Sequence, residues 1–328
     1  MSDSIHSKPA ILVPRLERTY YTGLSLQLHS HPPPDLPEDR DNCSYKTRTE
    51  PRMTNIGDRL NASVARTVRD PIPNSSISDL SITLYRRLSG STHLIGQVWT
   101  AHVQQSPESA ESHPGAGSRY PSTVVAKIYD PVYFEDREAE FFDPFALLDR
   151  SVSQETGSYR RLQPLQGVKV PAFYGHFVAR LPDRAQRGRT VNVVLLEYVP
   201  GNDIRDLVPR EIEETLCSPH KDSLIDAALR LYFDILALGV RQLDMQPRNV
   251  ILPDARYRHH HDNRPFCSTE GCPLQFEAPR EDVQLMMVDF EHVDFEEPDT
   301  AFSDPLTQVS YVQKARDHYL GSWLAGQL

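Results

Sequence analysis

The sequence has few cysteines and lacks long apolar runs. Its four cysteines are too few and too scattered for a disulfide framework, and they suit a reducing compartment. They are Cys43, Cys217, Cys267 and Cys272. No stretch approaches the roughly 20 apolar residues that span a bilayer, and residues 1–14 lack the apolar run of a secretion signal. We therefore expect a cytoplasmic protein, with a nuclear location as the alternative and without a membrane partner.

Positive charge is also scarce. The 35 Lys and Arg residues are outnumbered by 45 Asp and Glu residues, which gives a formal net charge of -10. A protein that binds nucleic acid needs a basic surface to displace the counterions of the phosphate backbone. The composition therefore predicts no nucleic-acid partner, although a local basic pocket for a nucleotide remains compatible with it.

Proline is abundant, and composition divides the chain near residue 75. The segment 1–75 is rich in Pro, Ser, Asp, Arg and Asn, so it buries too little apolar surface to offset its ordering entropy and is predicted to be disordered. From residue 76 onward, apolar patterns predict several strands followed by helices with a few short strands, which is typical of an α+β fold. The predicted strands are 80–85, 96–103, 123–129 and 191–198, and the clearest helices are 154–162 and 223–239.

The sharpest chemical motif is an acid and an amide five positions apart. Asp244 and Asn249 lie in an irregular stretch after the helix 223–239 and just before the apolar run 250–252. A carboxylate there can orient or deprotonate a hydroxyl group, and an amide oxygen can bind magnesium. The spacing alone is common, but its position after a long helix adds weight.

A second candidate is Asp289, which follows the predicted buried strand 284–288. A carboxylate at the end of a buried strand is costly unless a cation neutralises it, and Mg²⁺ bound to phosphates is one such cation. The alternative is an aspartate that only caps a turn or forms a salt bridge.

The third candidate is Lys127, which ends the apolar run 124–126. Its ammonium needs an anion, and Glu155 on the predicted helix 154–162 is the best candidate. Four other acids follow Lys127 closely and are alternative partners for it: Asp130, Glu135, Glu138 and Glu140. A plain surface salt bridge is the remaining alternative.

Four short motifs, taken in order, resemble those of the protein-kinase-like superfamily. They are 125–128 for the strand lysine, 195–201 for the hinge, 244–249 for the catalytic loop and 288–290 for the metal-binding motif. The resemblance is nearest to divergent fungal kinase-like proteins and to the aminoglycoside-phosphotransferase branch. It implies a bilobal fold, with a small antiparallel-sheet N-lobe over about 76–198 and a short, mainly helical C-lobe over about 199–328.

The resemblance also implies ATP and Mg²⁺ as cofactors and a role for each matching residue. Lys127 would hold the α- and β-phosphates while paired with Glu155, Asp244 would be the catalytic base, and Asn249 and Asp289 would bind the metal. The remaining nucleotide contacts would be the glycine-rich loop, the gatekeeper and the two hinge residues whose backbone receives adenine. These are Gly90, Gly96 and Val98, then Leu196, then Glu197 and Val199.

Several departures qualify what the resemblance implies. Ser91 and His93 stand where the first two glycines of the loop belong, Gln242 replaces the histidine before the catalytic acid, and Glu291 replaces the glycine of the metal motif. The stretch after Asp289 lacks an Ala-Pro-Glu motif, so a peptide-binding platform is not expected. The predicted function is ATP-dependent phosphotransfer to a hydroxyl of an unknown protein or small molecule. The alternative is a pseudokinase that binds nucleotide or another protein.

A zinc-dependent binding module is a third and weaker hypothesis. Three consecutive histidines at 259–261 precede Cys267 and Cys272 within a predicted insertion. Tetrahedral zinc accepts His and Cys ligands, but the Cys-x₄-Cys spacing fits the usual pattern only loosely. A solvated loop is the favoured interpretation of this stretch.

Overall fold

The structure is a computed structural model of the chain. It describes residue 53 and the ranges 19–35, 55–69, 80–89, 96–104, 120–181, 188–207, 216–254, 265–276, 283–299 and 307–310. The strands are β1 Ser25–Ser30, β2 Leu80–Ser89, β3 Gly96–Gln104, β4 Thr123–Tyr129, β5 Phe173–Leu181, β6 Arg189–Glu197, β7 Gly201–Asp203, β8 Val240–Gln242, β9 Val250–Pro253, β10 Met286–Met287 and β11 Val293–Phe295. The helices are α1 Ile56–Arg69, α2 Pro144–Arg161, α3 Ile204–Leu207 and α4 Ser218–Ala237.

Six strands close into an antiparallel barrel in the order β1-β2-β3-β4-β6-β5. β1 closes the barrel because it pairs with β2 on one side and with β5 on the other, in the registers Leu26↔Ile82 and Leu28↔Ala179. Side chains alternate across a strand, so Leu26 and Leu28 both enter the interior. There, apolar residues from all six strands form one buried core.

The expected bilobal protein-kinase-like fold with a mainly helical second lobe is wrong. The prediction missed β1, because Leu26 and Leu28 are the only apolar residues of a polar strand, and without β1 the sheet cannot close. It also overestimated helix beyond residue 199. The described strands there are two to four residues long and form two small sheets, β10-β9-β7 and β11-β8. The apolar run 250–252 and the predicted strand 284–288 correspond to β9 and β10, whereas β7, β8 and β11 are three residues long and too short to show a period-two pattern.

Two elements, β1 and α1, come from the first 75 residues. α1 lies against the barrel wall beside β6. Arg59 of α1 is 1% exposed and donates hydrogen bonds to the Asp136 carboxylate at 2.7 Å and to the Met53 carbonyl at 3.1 Å. Thr67 accepts a hydrogen bond from the Thr190 amide at 2.7 Å. These contacts connect α1 to the barrel. The domain boundary proposed at residue 76 stays a prediction.

A second apolar core lies between the barrel wall and the two longest helices, α2 and α4. β4 contributes to both cores. Ala126 and Ile128 point into the barrel, whereas Val125 and Tyr129 pack against the second core. Lys127 lies between these two outward-facing residues, so the alternation of the strand directs its side chain towards the second core.

α2 begins at a well-formed cap. The Asp143 carboxylate accepts hydrogen bonds from the amides of Phe145 and Ala146, and Pro144 occupies the first turn, where its missing N–H is not needed. The predicted helix 154–162 is the second half of α2. Glu155 shares the buried face of this helix with Val152 and Tyr159. None of the described helices combines the length and apolarity needed to cross a membrane.

Candidate functional site

Lys127 is the centre of a buried ionic cluster. Only 6% of its side chain is exposed, and its Nζ lies 3.2 Å from Glu155, 2.7 Å from Asp289 and 2.8 Å from Glu291. We call these four residues the Lys127 cluster. Burial disfavours the ammonium, but the three carboxylates more than offset this and hold the pKa of Lys127 well above its usual value. The lysine is therefore a fixed positive charge, and a plain surface salt bridge does not describe it.

Glu155 connects α2 to both the barrel and the segment after β10. Its Oε2 accepts a hydrogen bond from the Phe290 amide at 2.6 Å and contacts Lys127. Its Oε1 is buried and has no hydrogen-bond partner within the described part of the chain. Burial raises the pKa of Glu155 to about 7, although the nearby Lys127 acts in the opposite direction. This carboxyl thus titrates near neutral pH.

Asp289 has an unusual backbone conformation. Its φ of 67° makes it the only non-glycine residue with a positive φ among the described residues. Such a conformation costs about 1–3 kcal/mol, and functional sites are where it is usually found. The next residue, Phe290, is fully buried and packs edge-on against the Tyr159 ring at 5.3 Å. The turn at Asp289 therefore lets Phe290 enter the core while the Asp289 carboxylate meets Lys127.

The Asp289 carboxylate is ionised and keeps access to solvent. Burial opposes its ionisation, but the Lys127 ammonium and its hydrogen bond hold the pKa of Asp289 below the usual value. Its side chain is 38% exposed, and that of Glu291 is 18% exposed. Two of the three carboxylates around Lys127 can therefore be reached from outside.

Gly96 lies directly against this cluster. A Cβ at Gly96 would come within 3.1 Å of Glu291 Oε1 and 3.9 Å of Lys127 Cε. The absence of a side chain at the start of β3 thus gives Glu291 the space to reach Lys127. The sequence marked Glu291 only as a departure from a glycine, so its contact with Lys127 was missed.

Asp244 and Asn249 contact each other in the loop between β8 and β9. Asn249 Nδ2 donates hydrogen bonds to the Asp244 backbone carbonyl at 2.9 Å and to Asp244 Oδ2 at 3.0 Å. Arg248 also donates to Asp244 Oδ2, at 2.8 Å. The acid and the amide that stand five positions apart in sequence therefore share one hydrogen-bond network.

Gln242 connects this loop to Asp289. Its side-chain oxygen accepts a hydrogen bond from the Asp244 amide at 3.1 Å, and its Nε2 donates to the Asp289 carbonyl at 2.7 Å. A second connection follows from strand pairing. Met287 pairs with Val250, and the Val288 amide donates to the Asn249 carbonyl at 2.9 Å. Asn249 and Asp289 thus stand at the same end of the β9–β10 ladder.

The other predicted contact residues are less closely grouped. Gly90, Ser91 and His93 lie outside the described residues. Val98 of β3 pairs with Lys127, and Leu196 of β6 is buried and pairs with Val125.

The two hinge positions, Glu197 and Val199, lie at the end of β6 and just beyond it. The Glu197 amide donates to the Ala172 carbonyl at 2.8 Å, so this N–H already has a partner. Val199 is buried, at 6% exposure. The adenine contacts that the resemblance implies for these residues stay predictions.

Asp130, one of the acids that competed with Glu155 for Lys127, is partnered elsewhere. Asp130 is fully buried and pairs with Arg189 at 2.8 Å, and it also accepts a hydrogen bond from the Tyr20 hydroxyl at 2.9 Å. This second buried ion pair fixes the end of β4 to β6 and to the N-terminal segment. It contains no exposed oxygen atom comparable to those of Asp289, so it is a structural pair.

A cavity of about 210 Å³ lies away from the Lys127 cluster. It is bounded by α1, α2, β5 and β6, and none of the predicted site residues lines it. Arg66 on its rim pairs with Asp149 at 2.8 Å. We therefore place the candidate site at the ionic cluster, where convergent charged groups meet, and not at this cavity.

The fold and the site define a protein with a closed antiparallel barrel and an ionic cluster on its outer wall. No family model and no curated protein matches the sequence. Among solved structures, the chain has a weak similarity to one described as the crystal structure of BubR1 kinase domain, with a TM-score of 0.37 and 12% identity. The match covers 73% of this chain and 59% of that chain. A similarity this weak supports neither a fold assignment nor a function.

Proposed function

We propose that the chain binds ATP together with Mg²⁺ and transfers a phosphoryl group to a hydroxyl acceptor. The observation that carries the proposal is the Lys127 cluster, in which one ammonium meets three carboxylates and two of these are open to solvent. If all three are ionised, the formal charge of the cluster is -2, and it is -1 if Glu155 is protonated. Excess negative charge built from oxygen atoms at an accessible position favours a hard divalent cation.

The residues present fit magnesium and phosphate. Asp289 and Asn249 would hold Mg²⁺ through a carboxylate and an amide oxygen, and Glu291 offers a further carboxylate. Mg²⁺ would supply charge neutralisation on the phosphate oxygens. Lys127 would bind the phosphates while Glu155, whose side chain is fully buried, keeps its ammonium in place.

Asp244 is the group placed to act on the acceptor. Its carboxylate would orient the hydroxyl and accept its proton, and Gln242 holds the backbone of Asp244 in register with Asp289. Rate acceleration would come chiefly from positioning and from charge neutralisation around the phosphoryl group.

Thermal unfolding with ATP, with and without Mg²⁺, tests the binding step. A ligand at 100 times its Kd stabilises the folded state by about 2.7 kcal/mol. We expect stabilisation that requires both ATP and Mg²⁺ in the wild type and is lost in Asp289→Asn. Asp136→Asn, which changes an exposed acid that contacts Arg59, is the matched control and should keep the response. Equal stabilisation of both variants, or none in the wild type, would refute the proposal.

A second candidate is a nucleotide-binding module that transfers no phosphoryl group. The observation in its favour is that Asp244 Oδ2 already accepts hydrogen bonds from both Arg248 and Asn249, which weakens it as a base. Transfer of the label from γ-labelled ATP to hydroxyl acceptors added in turn, with ADP as the second product, separates the two. Turnover that Asp244→Asn abolishes while Mg²⁺–ATP binding persists supports transfer. Binding without turnover in the wild type supports the module.

A further inference from the structure

A separate cluster of cysteine and histidine side chains lies near the start of α4. Cys217 and His220 come from the first turn of this helix, and Cys267 and Cys272 come from the segment 265–276. All four residues are at most 9% exposed. One ligand atom from each lies within 4.8 Å of the others. Two parts of the chain that are about 50 residues apart thus bring three thiols and one imidazole together.

The distances match the edges of a tetrahedral metal site. His220 Nδ1 lies 3.3 Å from Cys217 Sγ and 3.3 Å from Cys272 Sγ. With Zn–S near 2.3 Å and Zn–N near 2.0–2.1 Å, a tetrahedral site has S···N edges of about 3.5 Å and S···S edges of about 3.8 Å. Both S···N distances are therefore close to the edges of a zinc site, and all four ligand atoms lie within 4.8 Å of one another.

The position of Cys217 gives a second, independent reason. It is the N-cap residue of α4, yet its side chain makes no capping hydrogen bond, and cysteine is not among the preferred N-cap residues. Capping therefore does not explain a cysteine at this position, whereas cysteine is a common zinc ligand.

The segment 265–276 shows why such a cation would matter. The structure assigns it no helix or strand, and its own hydrogen bonds only close a loop. The Phe266 amide donates to the Gln275 carbonyl at 2.7 Å, and Gln275 Nε2 donates to the Cys267 carbonyl at 3.0 Å. This loop nevertheless contributes buried residues to the second core, among them Leu274 at 0% exposure. No helix or strand of its own ties the segment to α4, so its buried side chains hold it there.

We propose that Cys217, His220, Cys267 and Cys272 bind one structural Zn²⁺ ion that fixes the segment 265–276 to α4. Four protein ligands close the coordination sphere, so the ion stabilises and does not catalyse. The expected zinc ligands among the histidines at 259–261 lie outside the described residues, and the burial of Cys267 and Cys272 contradicts a solvated loop at these two positions. The site does not depend on the proposed phosphotransfer.

Metal analysis of the purified full-length protein tests the proposal. We expect about one zinc per chain in the wild type, loss of the metal in Cys272→Ser, and an unchanged zinc content in the matched control Cys43→Ser. His220→Cys keeps four ligands, so this variant should retain zinc even if Cys272→Ser fails to fold. Replacement of zinc by Co²⁺ should give thiolate charge-transfer bands and the intense visible bands of a tetrahedral site.

Three results would overturn the proposal. They are a folded wild-type protein without metal that gains no tetrahedral Co²⁺ spectrum, a disulfide between two of the three cysteines in mass spectra, and an equal loss of zinc in Cys43→Ser and Cys272→Ser. The first two would show that the buried thiols pack or pair without an ion, and the third would place the metal elsewhere.

Discussion

The Lys127 cluster and the cysteine–histidine cluster are both built from distant segments, but they differ in access and in charge. The Lys127 cluster has three hard carboxylates, two of which are reached by solvent. The cysteine–histidine cluster has soft ligands, and each of its residues is at most 9% exposed. Open hard ligands suit an ion that arrives with a substrate, whereas closed soft ligands suit an ion that stays with the fold. Access therefore separates the site proposed for chemistry from the site proposed for stability.

The largest effect that would test this comparison comes from removing the lysine charge. Lys127→Met leaves buried Glu155 without its cation and places Asp289 and Glu291 against each other. Breaking one partner of a buried ionic group costs about 3–5 kcal/mol, so we expect a loss of that size in the free energy of unfolding. Urea denaturation measures it.

A matched control exists on the same chain. Lys169 forms a partly exposed pair with Asp234, whose side chains are 39% and 21% exposed. Lys169→Met should cost at most about 1 kcal/mol, because solvent screens such a pair. Similar losses in both variants would mean that the Lys127 cluster is no more than an ordinary surface network.

The next effect is a pH dependence that belongs to Glu155. Its pKa in the folded protein is about 7, above the usual value of 4.5, because burial disfavours the charged form. The folded state therefore holds this proton more tightly than the unfolded state. Its stabilising contribution is complete below pH 4.5 and is lost as the pH rises through about 7.

Glu155→Gln should abolish this pH-dependent loss of stability. The free energy of unfolding of the wild type, relative to the variant, should fall by at most about 3 kcal/mol between pH 4.5 and 7.5, since one pKa unit corresponds to about 1.4 kcal/mol. Denaturant titrations at a series of pH values measure the difference. The exposed Glu140→Gln is the control and should run parallel to the wild type. A wild type and a Glu155→Gln variant with parallel profiles would show that Glu155 stays ionised.

Lys127, Asp289 and Glu155 also show what the sequence could predict. Lys127 and Asp289 stand at the ends of apolar runs, and Glu155 lies on a helix with a clear apolar face, so local patterns were enough to single them out. The turn at Asp289 and its contact with Lys127 could not be read, because they depend on how Phe290 packs against Tyr159. Contacts between residues that are far apart along the chain leave no pattern in the local sequence.

The barrel and two members of the cysteine–histidine cluster, Cys217 and His220, were missed for the same physical reason. β1 contains only two apolar residues, and its stability comes from pairing with β2 and β5, more than 50 and about 150 positions away. Cys217 and His220 have a spacing that is common by chance, and their meaning depends on Cys267 and Cys272. Each feature needs partners that only the folded chain supplies. The expected helical lobe was wrong for the same reason, because short strands stabilised by distant partners were not recognised.

The smallest predicted effect tests how tightly the open cluster is packed. Gly96→Ala would put a Cβ 3.1 Å from Glu291 Oε1, which is the mobile end of a side chain and not backbone. Gly96 does not have a positive φ, so steric contact is the main expected cost. We expect a loss of at most about 1 kcal/mol, the lower end of the cost of overpacking, because a small shift of the Glu291 side chain can relieve the contact.

A double-mutant cycle measures whether that cost belongs to Glu291. Gly96→Ala should destabilise the wild type but have almost no effect in a Glu291→Ala background, because the contact that Cβ would make is then gone. An equal cost in both backgrounds would place the strain on the backbone of β3. If Gly96→Ala costs nothing in the Glu291→Ala background, then the space left at Gly96 is what allows Glu291 to reach Lys127. A third carboxylate held in this way would add to the negative charge on which the proposed divalent-cation site depends.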